Sequence, residues 1–422
     1  MWLLEGAHLV CPASGWDGPA DVLIDGARVA AVGPPGSIPA PAAARRVALS
    51  GCALGPGLVD LFATVPDPGA PHRERQATAA RAAAAGGFTE VLWAPSTHPW
   101  PADALVWREL DAAAARLPGA RLRPCGALFT EDGLGLAEMG SLVDAGAVAL
   151  GDGGRLVEDA ERLRRALEYA SPFGVPVLLR PGEAALERRG IFHEGAPALR
   201  AGVHGIPAAA EEIGVARVLA LVRLTGARVH LTHVSTARAV AALAQAQAEG
   251  LPVTGSVPAR HLVLSDVDAA GSGHDPAFRV LPPLRPAEDV AAVRAAVRAG
   301  VLSVCSDHEP RGLIDKELVL AEAAPGANGF ESALAAALTG LDGDLSALFS
   351  AMAVRPAAVR GRRAAVEPGA PADLVVLEPG VVEALAPPRW SLGRAEPLVG
   401  RALRGRVRAV FVAGQPGPDS IP

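Results

Sequence analysis

Lysine is nearly absent from this chain. Lys316 is the only one in 422 residues, which excludes any mechanism that needs a second lysine. The four cysteines, Cys11, Cys52, Cys125 and Cys305, lie far apart and form no Cys-x-x-Cys pair. Neither a disulfide framework nor a thiolate zinc site is indicated, and a reducing cytoplasm is the expected location. An excess of positive charge is also missing. The formal net charge of −6 and a sequence pI near 6.0 give no electrostatic footprint for nucleic acid or an anionic membrane surface. No apolar run reaches the roughly 18 residues of a membrane span. The opening Met1-Trp2-Leu3-Leu4 is interrupted by Glu5 and His8 before it can read as a signal segment.

Core material is plentiful, since 50% of the residues are hydrophobic. Eight short apolar runs recur: Gly57–Leu61, Phe88–Ala94, Arg121–Ala127, Ala147–Leu150, Val175–Arg180, Ala227–Leu231, Pro252–Val257 and Val301–Ser306. Helical patterns such as Ala160–Tyr169 and Ala208–Leu224 separate them. Continuous apolar strands alternating with amphipathic helices predict parallel strands buried on both faces, hence an α/β fold closed as a (β/α)8 barrel. Both ends read differently, as short strands with turns at Asp25-Gly26 and Gly33-Pro34-Pro35, a style resumed at Leu374–Leu377 and Val407–Ala413. The expected organisation is a small composite β-sandwich from residues 1–55 and 351–422 around a barrel spanning residues 56–350. Only the last few residues are expected to be disordered.

The stretch Gly55-Pro56-Gly57-Leu58-Val59-Asp60-Leu61 resembles the entry to the first barrel strand of amidohydrolases. Further stretches narrow the resemblance to the dihydroorotase family: Ala82–Thr89, Gly205–Glu212, His230-Leu231-Thr232-His233-Val234-Ser235-Thr236, Pro282-Pro283-Leu284-Arg285, Ser306-Asp307-His308-Glu309-Pro310 and Pro368–Val375. The resemblance covers nearly the whole chain. It implies metal-assisted, reversible closure of carbamoyl aspartate to dihydroorotate in pyrimidine synthesis. One or two divalent ions, often zinc, would activate water and polarise the carbonyl while a carboxylate carries the proton.

Carried over residue by residue, the resemblance also implies losses. The two histidines that end the family's first barrel strand fall on Phe62 and Thr64, and a metal-binding histidine after the fifth strand falls on Arg180. Positions that hold the substrate fall on Pro66, Ser96 and Leu281. Phenylalanine cannot coordinate a metal, and a neutral hydroxyl replaces imidazole poorly on zinc. Three liganding positions match: Asp152, His233 and Asp307, the last also being the family's proton-transferring carboxylate. Either these three still hold a metal, or the carboxylates pair with a cation and His233 is a core imidazole bonded to a carbonyl. Arg180 is the expected cation, a fixed charge in place of the metal. His230 is read as structural, Cys305 as buried and inert, and His72, His98, His193, His204, His261 and His274 as surface or loop residues.

The resulting expectation is a noncatalytic, dihydroorotase-like pseudoenzyme without cofactor. It would be oligomeric and would serve as a structural or regulatory partner of aspartate carbamoyltransferase, with no nucleic acid or membrane involved. The alternative is a one-metal cyclic amidohydrolase using zinc on Asp152 and His233, with Asp307 as base.

Overall fold

The computed structural model describes residues 1–39 and 41–418; the expectation of disorder at the extreme C-terminus falls outside them. All eight barrel strands appear where the apolar runs place them. They are Leu58–Thr64, Phe88–Ala94, Arg121–Pro124 continued by Gly126–Ala127, Leu150–Gly151, Val177–Leu179, Val229–Leu231, Val253–Pro258 and Leu302–Cys305. Successive strands pair in parallel. The barrel closes where the Thr64 amide donates to the His308 carbonyl at 2.8 Å and Ala63 bridges His308 in parallel.

The intervening helices form for local reasons. In Ala160–Ala170, Asp159 caps the N-terminus by accepting from the Glu161 and Arg162 amides at 2.9 and 3.0 Å. Its buried residues, Leu163, Ala166, Leu167 and Ala170, fall at the three- and four-residue spacing of a single face. Ala208–Thr225 ends at Gly226, which takes the left-handed conformation that a helix C-terminus favours.

Both termini build one β-sandwich domain. Trp2–Cys11 pairs antiparallel with Trp16–Asp25 and parallel with Ala53–Pro56, which in turn pairs antiparallel with Leu374–Ala384. Leu374–Ala384 then pairs with Ala402–Val412, so the chain's end is sewn onto its beginning. Leu4, Leu9, Ile24, Leu54, Leu374 and Phe411 lie in its separate core. Arg121 on the third barrel strand donates to Asp373 at 2.9 Å, linking this domain to the barrel. Among the described residues no helix is long and apolar enough to cross a membrane.

Candidate functional site at the barrel mouth

Every matched or lost ligand position sits at the C-terminal end of a barrel strand, the end where loops of this architecture gather reactive groups. Phe62 and Thr64 close strand one, Asp152 follows strand four, Arg180 strand five, His233 strand six and Asp307 strand eight. His233 and Asp307 both have left-handed backbones, with φ of 61° and 50°. Such a conformation costs a non-glycine residue about 1–3 kcal/mol and persists where surrounding structure imposes it. Here it turns both side chains towards each other: His233 Nε2 lies 2.9 Å from Asp307 Oδ1, although the angles fall short of a hydrogen bond. His233 Nδ1 is buried without a partner, so the imidazole is not the carbonyl-bonded core residue offered as one of its two readings.

The cation beside Asp307 is one that sequence reasoning missed. Arg260, in the short 3-10 turn after strand seven, directs Nη1 at Asp307 Oδ2. Its Nη2 donates to the Asp307 and Asn328 carbonyls at 2.9 and 2.8 Å. Both side chains are 2% exposed. Gly329 makes this possible, because a Cβ there would stand 2.1 Å from the Ser306 carbonyl oxygen; only glycine lets the Asn328 segment approach so closely. Burial alone pushes the Asp307 carboxyl up, but His233 and Arg260 outweigh it and hold the group below the ordinary carboxylate value.

Arg180 does something other than expected. Its Nη2 pairs with Glu187 at 2.9 Å, and its Nε donates to the Gly154 carbonyl at 3.1 Å. Glu187, in the short helix after strand five, supplies a nearer carboxylate than either site aspartate. Only the Arg180 backbone amide reaches Asp152, at 2.9 Å on Oδ2, while the Gly154 amide takes Oδ1 at 2.8 Å. Burial raises the Asp152 carboxyl to about 6 despite these bonds.

Phe62 occupies the space between these groups. Its ring meets His233 edge-on, with centroids 4.3 Å apart. Its far edge lies over Gly154, where a Cβ would come within 3.2 Å of Cζ. Thr64 turns its hydroxyl to the His308 carbonyl at 3.4 Å. At the lost substrate positions, the Ser96 hydroxyl accepts from the Val65 amide and the Trp93 indole at 3.1 Å each and donates to Ala94 at 3.0 Å, so its bonding capacity is spent. The Pro66 carbonyl accepts from the Ala70 amide, and Leu281 lines a separate cavity with Leu156 and Arg188.

Other motif residues are structural. Glu211 accepts from the Ser235 and Thr236 amides at 2.8 Å each, and Arg285 bonds Glu211 at 3.1 Å and Ser235 Oγ at 2.9 Å. Three distant motifs thus form one buried network supporting the loop that carries His233. His230 sits between Thr254 and Ser256 at 2.8 and 3.0 Å, as expected of a structural residue. Cys305 is buried, and desolvation raises its thiol well above the ordinary value. His261, expected as a surface or loop residue, lies in the turn after strand seven but is buried, with Nε2 3.2 Å from the Pro282 carbonyl oxygen, because the turn that aims Arg260 inward carries its neighbour inward too.

A family model described as dihydro-orotase-like matches residues 51–239. A protein named dihydroorotase from Anaeromyxobacter dehalogenans (strain 2CP-1 / ATCC BAA-258) is 42% identical over 420 residues, covering 98% of this chain and 96% of the relative. The chain belongs to the dihydroorotase family. A second dihydroorotase of that name, from Syntrophus aciditrophicus, is 36% identical over 421 residues, covering 98% of each chain. Among solved structures, the L-hydantoinase of Arthrobacter aurescens superposes with a TM-score of 0.87 at 22% identity, covering 100% of this chain and 97% of that one. The dihydropyrimidinase of Brevibacillus agri gives 0.81 at 22% identity, covering 100% and 96%. These likenesses establish the amidohydrolase barrel with its terminal β-sandwich.

Amidohydrolase members usually bind a metal such as zinc, and the residues present do not fit one. Among the described residues, no three or more His, Cys, Asp and Glu side chains are grouped to hold a metal ion. Arg260 holds Asp307, backbone amides occupy both Asp152 oxygens, and the Phe62 ring edge faces His233. An imidazole with one unpartnered nitrogen is the donor left over, too few for a site that ordinarily takes three or four ligands.

Proposed function

We propose that this chain is a noncatalytic member of the dihydroorotase family, acting in pyrimidine biosynthesis as a structural or regulatory partner of aspartate carbamoyltransferase. One observation carries the first half: the carboxylate at the family's proton-transferring position is ion-paired with buried Arg260. A carboxylate neutralised by a guanidinium is a poor base. A second positive charge placed beside it, such as a divalent ion, is repelled through a low-dielectric interior. The partner follows from the chemistry the family resemblance implies, since a carbamoyltransferase acting on aspartate makes the substrate that true dihydroorotases close.

A second reading is favoured by one feature. His233 keeps an unpartnered nitrogen, the donor that a one-metal cyclic amidohydrolase on Asp152 and His233 would use. It requires Asp307 to exchange Arg260 for a water molecule.

Two assays test the proposal. Incubated with carbamoyl aspartate and added zinc or manganese, the purified chain forms no dihydroorotate; metal-dependent turnover overturns the noncatalytic reading. Co-expressed with the aspartate carbamoyltransferase of its own organism, the chain co-purifies and changes that enzyme's assembly or activity. A carbamoyltransferase that assembles and works equally without it overturns the partnership.

A further inference from the structure

The opposite end of the barrel carries an unrelated feature. At the N-terminal ends of strands Val229–Leu231, Val253–Pro258 and Leu302–Cys305 lies a cleft of about 440 Å³, bounded on one side by the short helix Arg355–Val359. Two guanidiniums, Arg228 and Arg355, stand on its wall with Gln247, Thr254 and Ser303. No aspartate or glutamate lines it. The cavity beside Asp152 at the other end differs: it carries Asp132, Asp152, Glu158 and Asp159 with Arg155 and Arg162.

Among the described residues neither arginine has a carboxylate partner. Arg228 donates to the Gly174 and Val359 carbonyls, the second at 3.1 Å. Arg355 gives Nη2 to the Val297 carbonyl at 2.9 Å, while its Nε is buried with no partner at all. Arg228 is exposed and Arg355 half-buried; the fully buried Arg260 and Arg285 meet the carboxylates of Asp307 and Glu211, while Arg279 and Arg294, half-buried like Arg355, also donate to carbonyls. Burial without a counter-ion lowers the Arg355 guanidinium to about 10. Carbonyl oxygens satisfy donors but cannot neutralise charge, so the half-buried Arg355 guanidinium is left to gain from a bound anion. Gly300, on the cleft wall, takes a left-handed backbone with φ of 85°.

We propose that this cleft binds a phosphate-sized oxoanion, free or as the phosphate group of a small metabolite, between the guanidiniums of Arg228 and Arg355. Guanidinium forks match tetrahedral oxyanions geometrically, and the wall's amide and hydroxyl groups supply further donors. The site lies at the far end of the strands from Asp152, His233 and Asp307, so an occupant would act as an effector whether or not the mouth is catalytic.

Isothermal titration of the full chain in low-chloride buffer, with inorganic phosphate and separately with ribose 5-phosphate, tests this. Phosphate is expected to bind one site at millimolar concentration or below, with affinity falling as ionic strength rises. Tighter binding of ribose 5-phosphate identifies the occupant as a phosphorylated metabolite, and equal binding identifies free phosphate. Arg228→Met and Arg355→Met are each expected to weaken binding by at least about tenfold. Because both arginines also tie helix ends, Gln247→Glu provides the test that leaves them in place: a near-isosteric carboxylate on the wall should abolish binding while the circular dichroism spectrum stays unchanged, the Tm falling only by what the loss of the 3.2 Å Gln247 Nε2 bond to the Val301 carbonyl costs. Absence of phosphate binding by the natural chain, or unchanged affinity in a folded Gln247→Glu variant, would overturn the proposal.

Discussion

Arg260 and Asp307 are ion-paired inside the barrel mouth, each side chain 2% exposed, with the same guanidinium also holding the Asp307 carbonyl at 2.9 Å. One arginine therefore fixes both the charge and the left-handed backbone of the residue on which the family's chemistry turns. Removing either partner leaves a buried charge uncompensated, whereas removing both leaves none. Arg260→Met or Asp307→Asn alone should each cost about 3–5 kcal/mol, and the double variant clearly less than their sum. Urea unfolding of the four proteins of this cycle measures it, and additive losses would show the pair to be uncoupled.

Restoring ligands should fail while Arg260 remains. Phe62→His, Thr64→His and Arg180→His together reinstate three imidazoles around His233, but the cation on Asp307 still opposes a divalent ion. Equilibrium dialysis against zinc should find the triple variant essentially metal-free and the same variant carrying Arg260→Ala metal-loaded. If the triple variant loads fully, or if neither does, Arg260 is not the obstacle.

Phe62 fills the space beside His233 and over Gly154, so its loss opens a cavity at the mouth. Phe62→Ala is expected to lower stability by about 3–5 kcal/mol, the usual range for a buried phenylalanine, and to gain no metal. Thermal unfolding with parallel elemental analysis checks both halves, and a stability change below about 1 kcal/mol would mean the ring is loosely packed.

Lys316 provides a clean pH probe because it is the only lysine. Its amine donates to the Pro276 carbonyl at 2.7 Å, and burial, reinforced by Arg311, Arg279 and Arg260, lowers it to about 7. The unfolded chain holds that proton up to about 10.4. Between those values the unfolded state binds more protons, so this group's contribution makes stability rise with pH from about 7 to about 10, the penalty being complete below 7. Relative to a Lys316→Met variant, the natural chain should gain stability across that window. The lysine 13Cε resonance, single in this protein, should titrate near neutrality; a midpoint above about 10 would contradict the assignment.

The barrel was legible in the sequence because parallel strands buried on both faces write themselves as apolar runs, and each of the eight observed strands overlaps one such run. Helix Ala160–Ala170 and helix Ala208–Thr225 fall within one residue of their expected bounds, since capping and periodicity are local. Arg260 was not legible. Its partner is 47 residues away, and nothing in Ala259-Arg260-His261-Leu262 shows that the turn after strand seven points inward. The available signal was position: a cation immediately beyond a barrel strand's C-terminal end belongs among site candidates as much as a carboxylate does. Arg180 misled for the converse reason. It stands at a ligand position, but Glu187 in the next helix claims its side chain, a pairing fixed by loop geometry that residue types do not encode.

The most direct test of a mouth closed to metal is metal uptake by the natural chain itself. Purified without chelator, incubated with excess zinc and dialysed, it should retain less than about 0.1 equivalent by elemental analysis, as expected when ligands and their supporting groups are lost together. Near-stoichiometric zinc that disappears in a His233→Ala variant would contradict the account, because it would mean that the ion displaces Arg260 from Asp307.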